Sequence, residues 1–331
     1  MPDGKAWPRI SVVTPSFRQG AFLEETIRSV LLSGYPDLEY IVIDGGSDDG
    51  SVEIIRRYAT WLSYWISEKD SGQSEAINKG FARVTGLLVA YLNSDDSHLP
   101  NALGRIARTW NRDPGVAMVT GGYLTIDEHS EAYDLKLPSL PGSGPLDLTL
   151  VDHLTWLLPQ PSSFYSRSHL EQVGMWVRED LQYTMDREII YRLCRSGRTR
   201  LLNEPVATYR IHKSSKTVAD QSRVAAEARR SFGYCTWGGE RERAVRERVC
   251  KWRIAQGYRG AGARRACTVR DLGHLLRSAY YRPAYLGDWK FLRMVSATVG
   301  RIVLKGLRLY DPARALRDGL RNKIVPRLSG A

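Results

Sequence analysis

From residue 10 to residue 121 the chain alternates short apolar runs with stretches of helical periodicity, and no other feature constrains its fold as much. Runs at 10–14, 40–43, 64–67, 87–92 and 116–121 have strand length and are rich in Val, Ile and Tyr. Between them, 24–32, 51–58, 74–84 and 101–111 read as helices; in the first, Ile27, Val30 and Leu31 share a face. Such alternation predicts an α/β fold, a mainly parallel sheet flanked by helices. Further on, 136–148 holds three prolines and two glycines and reads as a loop, 181–196 as a helix, and 206–211 as a closing strand.

Four of the predicted strands end in polar clusters: Thr-Pro-Ser-Phe at 14–17, Asp-Gly-Gly-Ser-Asp-Asp-Gly-Ser at 44–51, Glu-Lys-Asp-Ser-Gly-Gln-Ser at 68–74 and Asn-Ser-Asp-Asp at 93–96. Ligands of open α/β sheets bind outside the carboxyl ends of the strands, so four such ends in succession describe one crevice. None contains G-x-G-x-x-G or G-x-x-x-x-G-K-[ST], which excludes the glycine-rich ways of cradling phosphate. Adjacent Asp95 and Asp96 instead offer hard oxygens to a divalent cation and a diphosphate, although two aspartates after a strand also make an ordinary solvated turn.

At 331 residues and 43% hydrophobic composition the chain can bury a sizeable core. Its net charge of +12 is unevenly placed: residues 241–331 hold 22 Lys+Arg against 6 Asp+Glu, leaving 26 against 30 before them. A mildly acidic folding unit is thus followed by a basic region suited to an anionic partner. We expect two regions: 1–235, made of a first half at about 9–125 and a second at about 126–215, and a basic helical region at 236–331. Within the latter, Arg293, Arg301, Lys305 and Arg308 fall on one side of a helix over 288–309 and Leu292, Val295, Val299, Ile302 and Val303 on the other. That pattern suits a probable anionic membrane surface better than a bilayer span; a helix packed on protein or on a second subunit is the other reading, and no specific nucleic-acid motif accompanies the charge. The first residues carry no leader pattern, so a cytoplasmic location, with peripheral contact at the inner face of the membrane, is expected. Cys194, Cys235, Cys250 and Cys267 are too scattered for a zinc site or a disulfide framework and read as reduced thiols.

The chain resembles the family 2 glycosyltransferases, inverting enzymes of GT-A fold that use nucleotide-activated sugars. The resemblance rests on Ser-Val-Val-Thr-Pro-Ser-Phe at 11–17, Ile-Val-Ile-Asp-Gly-Gly-Ser-Asp-Asp-Gly-Ser at 41–51, Asp-Ser-Gly-Gln-Ser-Glu-Ala-Ile-Asn-Lys-Gly at 70–80 and Leu-Asn-Ser-Asp-Asp at 92–96. Tyr-Thr-Met-Asp-Arg-Glu-Ile-Ile-Tyr-Arg-Leu at 183–193 and Tyr-Arg-Ile-His at 209–212 continue it. It implies a Rossmann-like GT-A sheet in which Thr14, Pro15, Ser16 and Phe17 line the base and ribose pocket and Asp44 accepts a hydrogen bond from the base. Asp70, Gln73, Asn78, Asn93 and Ser94 would complete the donor floor. Asp95 matches the second acid of the D-x-D motif and would hold Mg2+ or Mn2+ with His212; Asp96 would support it, and Arg210 or Lys213 would meet phosphate. Asn93 departs from the family's first acid and brings no charge. Asp186, followed by Arg192, matches the general base, with Glu179 and Asp180 next in line and Glu188 a weaker choice. The segment Gln160-Pro-Ser-Ser-Phe looks like the acceptor-side strand.

Each residue has a plainer role as well: Asp44 and Ser47 can cap the helix near 51, Asp186 is an ordinary first-turn carboxylate, and His212 can be structural. The function implied is transfer of a sugar from a nucleoside-diphosphate donor to a hydroxyl of a glycan or lipid-linked acceptor, in surface-polysaccharide or glycolipid synthesis. A catalytically idle nucleotide-sugar-binding relative with an assembly role, or a basic membrane-surface or nucleic-acid-binding protein, are the alternatives. Oligomeric state is open.

Overall fold

Val12 and Val13 of β1 (Ile10–Ser16) point to opposite faces of the sheet, as successive strand residues must, and each enters a different apolar layer. The computed structural model describes residues 6–138 and 158–213 together with 4, 215, 227, 276, 292, 293, 295, 296 and 299. β2 (Leu38–Asp44) pairs in parallel along one edge of β1, and β3 (Tyr64–Ser67) in parallel beyond it. β4 (Leu88–Tyr91) pairs in parallel along the other edge of β1. The chain therefore reverses direction across the sheet between β3 and β4, which opens a crevice at the carboxyl ends of β1 and β4.

The helices sort by face. Leu23, Ile27 and Val30 of α1 (Gly20–Leu31), Ile55 of α2 (Ser51–Tyr58) and Leu103 and Ile106 of α4 (Ala102–Asn111) share one buried layer with Val12, Val42, Leu88 and Ala90. Ile77 and Phe81 of α3 (Gln73–Phe81) share the opposite layer with Val13, Ile41, Ile43, Val89 and Tyr91. α5 (Arg167–Val173) and α6 (Met185–Ser196) add Leu170, Ile189 and Leu193 to that second layer.

The rest of the sheet comprises β5 (Met118–Ile126), β6 (Ala132–Lys136), β7 (Ser163–Ser166) and β8 (Thr199–Arg210). The order is β3-β2-β1-β4-β7-β5-β6, with β8 paired in parallel along β5. β7 lies antiparallel between β4 and β5, so the sheet is mixed rather than uniformly parallel. The strand expected at 116–121 runs on to Ile126, and the closing strand begins at Thr199 instead of 206. Asn-Glu-Pro at 203–205 reads as a break, yet it sits beside a register shift of the β5–β8 ladder, where a proline inside a sheet is tolerated.

The chain divides into two compact units, Met1–Gly238 and Gly239–Ala331. In the second, Leu276, Leu292, Arg293, Val295, Ser296 and Val299 are helical, with Leu276, Leu292 and Val299 exposed. The remainder of the expected helix over 288–309 lies outside the described residues, as do residues 139–148 of the expected loop and Cys235, Cys250 and Cys267. Cys194 is a buried free thiol, its pKa pushed up to about 11 by burial. Among the described residues no helix is long and apolar enough to cross a membrane.

Candidate active site

The loop after β4 carries the paired aspartates, and β8 zips it in place. Leu99 N–H donates to the Val206 carbonyl (2.9 Å), Thr208 N–H to the Ser97 carbonyl (2.7 Å) and Arg210 N–H to Asp96 Oδ1 (2.8 Å). Asp95 faces the cleft, with His212 Nε2 3.1 Å from its Oδ2, and the His212 ring packs on Phe22 at 4.8 Å. Asp96 turns the other way: it is buried, and burial first, then the Asp95 charge, holds its carboxyl well above the usual carboxylate range. The second aspartate is thus a structural anchor of the loop and does not reach the cleft. Arg210 is equally committed. Its guanidinium donates to the Asp95 carbonyl (2.8 Å), the Asp127 carbonyl and Ser130 Oγ (both 3.0 Å) and pairs with Glu25 (2.7 Å). This side chain holds the Asp95 loop in place, and Arg210 lines the cleft beside it.

The rest of this side of the cleft is built by the other strand ends. Pro15, Ser16 and Phe17 follow from β1 into the lining, whereas Thr14 is fully buried against the Tyr40 hydroxyl at 3.0 Å and lies beneath the surface. Ser16 Oγ is buried in that lining with no partner among the described residues. Asp44 is also fully buried and takes its hydrogen bonds from the chain: Gly46 N–H (3.1 Å), Ser47 N–H (2.9 Å), Ser47 Oγ (2.6 Å) and Ser67 Oγ (2.6 Å). Its place is the organisation of the turn after β2. It does not cap α2, whose first residue, Ser51, donates to Asp49 instead.

Asp70 lines the cleft and accepts from Gly72 N–H (3.0 Å), while burial raises its carboxyl. A Cβ at Gly45 would stand 2.8 Å from Asp70 Oδ2, so glycine there lets the loops after β2 and β3 meet. Gln73 Nε2 donates to Asn93 Oδ1 (2.7 Å), and Asn93 Nδ2 contacts Gln160 Oε1 (3.3 Å) and Asp96 Oδ2 (3.4 Å). Gln160 Nε2 closes the chain on the Tyr91 carbonyl (2.6 Å). The floor is therefore a line of neutral amides, and Asn93 owes its place to them. Ser94 is buried in the same lining. Asn78 is absent from the cleft wall: its amide is spent on Val177 (carbonyl 3.0 Å, N–H 2.7 Å) and Glu179 (2.9 Å), bracing the approach to α6.

Asp186 stands in the first turn of α6 on the far wall of the same cleft. Its Oδ1 has no hydrogen-bond partner among the described residues, and burial, opposed by Arg187, raises its pKa above the ordinary value. A carboxylate with a free oxygen and a raised pKa is what proton abstraction near neutral pH requires. Arg192, which the sequence pattern couples to Asp186, pairs with Glu188 (2.9 Å) and donates to the carbonyls of Val173, Gly174 and Trp176. Glu188 is thereby committed to structure, as is Glu179 to Asn78, and Asp180 pairs with Arg178.

The cleft, about 870 Å³ in volume, also exposes residues the sequence did not single out. Lys69 sits inside the already visible Glu-Lys-Asp cluster, and Gln182, Tyr183 and Arg187 flank Asp186, so position alone could have found them. Tyr123 and Tyr209, edge to face at 5.7 Å, meet through the pairing of β5 with β8, for which the sequence carries no local signal. Asp95 and His212 supply an oxygen and a nitrogen suited to Mg2+ or Mn2+. Among the described residues no three His, Cys, Asp or Glu side chains gather for a metal, so such an ion would draw its other ligands from diphosphate oxygens and water.

Known proteins share both sequence and architecture. Residues 11–174 match the family model described as Glycosyl transferase family 2. An uncharacterized glycosyltransferase of Nostoc sp. is 28% identical over 233 residues, covering 67% of this chain and 71% of that one. A candidate teichuronic acid biosynthesis glycosyltransferase of Bacillus subtilis, TuaG, is 27% identical over 215 residues, 63% and 81% of the two chains. In fold, the mannosyltransferase PcManGT from Pyrobaculum calidifontis, solved in complex with GDP-Man and Mn2+, superposes with a TM-score of 0.55 at 19% identity over 91% of each chain. S. aureus TarS 1-349 in complex with UDP-GlcNAc gives 0.57 at 14% identity, over 95% and 92%. The architecture is that of the GT-A glycosyltransferases, and with the family match spanning the strand-end motifs the chain belongs to glycosyltransferase family 2.

Proposed function

We propose that this glycosyltransferase moves a sugar, with inversion, from a nucleoside-diphosphate donor to a hydroxyl of a glycan or lipid-linked acceptor in surface-polysaccharide synthesis. One observation carries the reading: a single cleft places Asp95, Asn93 and Asp70 along one wall and Asp186, with its unpartnered oxygen, on another. The ligands of the two structural neighbours, GDP-Man with Mn2+ and UDP-GlcNAc, support the donor class, and the TuaG likeness supports the pathway class.

In this reading Pro15, Ser16 and Phe17 bind the nucleoside, and the neutral amides of Gln73, Asn93 and Gln160 hold donor hydroxyls by hydrogen bonds. Asp95 and His212 would hold Mg2+ or Mn2+, which supplies a positive charge to the leaving diphosphate. Lys69, in the same lining, adds charge of the same sign. Asp186 takes the acceptor hydroxyl proton as that oxygen attacks the anomeric carbon, so no sugar–enzyme bond forms. The tyrosines at 123 and 209 offer ring faces to an acceptor sugar. The basic region after residue 240 brings the enzyme to the anionic inner face of the membrane, where a lipid-linked acceptor resides.

The test is a panel of UDP-, GDP- and dTDP-sugars, each with Mn2+ and with EDTA, scored for release of nucleoside diphosphate. At least one donor should turn over, EDTA should stop it, and Asp186→Asn should lower kcat about 10²- to 10⁴-fold while Mn2+–nucleotide binding survives. Equal loss of binding and turnover would reject the base assignment; no turnover with any donor would reject the reading itself.

A further inference from the structure

Asp186 stands in the first turn of α6 and its Oδ1 has no partner among the described residues, so its position depends on where α6 begins. Thr184 precedes that helix and its hydroxyl caps no amide of it. Thr184 and the two residues before it, the turn that leads into the helix, are held by an acceptor from a later part of the chain. The Glu227 carboxylate receives Gln182 N–H (2.8 Å), Tyr183 N–H (2.6 Å), Thr184 N–H (2.8 Å) and the Thr184 hydroxyl (3.1 Å). Glu227 is itself buried. Ser74 of α3 braces the same segment by donating to the Leu181 carbonyl (2.9 Å).

We propose that Glu227 is a positioning residue for Asp186: by gathering three consecutive amides it sets the start of α6 and so the place of the carboxylate in its first turn. This rests on the base role given to Asp186. A carboxylate holding several N–H groups is a stronger anchor than a neutral cap, and a displacement of about 1 Å at a reacting group can cost about 10²-fold in rate. Charge adds to geometry. Glu227 raises the pKa of Asp186 and Arg187 lowers it, while the hydroxyls of Tyr91 and Tyr165, which face the same carboxylate, are neutral. Removing the Glu227 charge therefore makes Asp186 a weaker base that is ionised at lower pH.

Glu227→Gln keeps the length and one acceptor oxygen but loses the charge; Glu227→Ala loses both. With the donor identified by the panel, Glu227→Gln should lower kcat about tenfold or more, leave the donor KM within about twofold and move the acid limb of the kcat–pH profile to lower pH. In Glu227→Ala, the amides of residues 182–184 should exchange hydrogen faster while those of β1 to β4 keep their protection. Wild-type kcat and pH profile in Glu227→Gln would overturn the proposal, as would loss of Mn2+–UDP or Mn2+–GDP binding in step with kcat, or unchanged exchange at 182–184 in Glu227→Ala. A wild type that turns over no donor rejects the glycosyl-transfer chemistry only; the exchange measurement then still decides whether Glu227 sets the start of α6.

Discussion

His98 shows what a single side chain costs when its environment offers it no partner. Both ring nitrogens are buried with no partner among the described residues, the ring packs at a tilt against Phe164 at 5.4 Å, and burial pushes its pKa down to about 4. The unfolded chain binds this proton near pH 6.5 and the folded chain does not. Stability from His98 is therefore complete above about pH 6.5 and is lost as pH falls toward about 4, by about 3 kcal/mol in all. His98→Phe should flatten that loss, measured as Tm against pH; a profile parallel to wild type would show that other groups govern acid unfolding. At this scale the site was only partly visible in the sequence. Residue type and order pointed to Asp95, Asp70 and Asp186, which do reach the cleft. The family resemblance set Asp95 ahead of Asp96 as the metal ligand, but the sequence could not show that the two turn opposite ways, since Asp96 is tied to Arg210, 114 residues further on. Nor could it show that Asp44, Asn78 and Arg210 spend their polar atoms within the protein, because partners distant in sequence decide that.

Among the elements, α3 and β1 make the tightest contact the cleft depends on. A Cβ at Gly80 would lie 2.2 Å from Val13 Cγ1, so the helix lies on the strand at a distance only glycine allows. Gly80→Ala should push α3 outward and destabilise the fold by about 1–3 kcal/mol, read as a lower urea midpoint at unchanged m-value. Since Gln73 begins the same helix and holds Asn93, the substitution should also raise the donor KM; an unaffected midpoint would mean that the strand yields easily. Local pattern was enough to locate α1, α2, α3, α4 and the strands between them, because each buries one face at the expected period. It was not enough for β6, an exposed strand, or for the first half of β8, which lacks a clean alternation and becomes strand by pairing with β5. Helix α6 starts four residues later than its apolar pattern suggests, after a turn at 182–184 whose amides Glu227 holds.

For the molecule as a whole, charge is divided along the chain: 22 basic against 6 acidic residues follow position 240. If this region meets a membrane, the full chain should float with vesicles containing phosphatidylserine or phosphatidylglycerol and not with phosphatidylcholine alone, and should be released as salt rises past the range where the Debye length is about 8 Å. Equal flotation with neutral vesicles would reject an electrostatic docking. The first unit has a different kind of unity. One strand, β7, is hydrogen-bonded to β4 on one side and β5 on the other, so the strands before and after it share a single ladder. The gap between them cannot breathe like a hinge without breaking that ladder. Whatever enters the cleft is then accommodated by side chains and turns above the sheet, while the platform beneath keeps its shape.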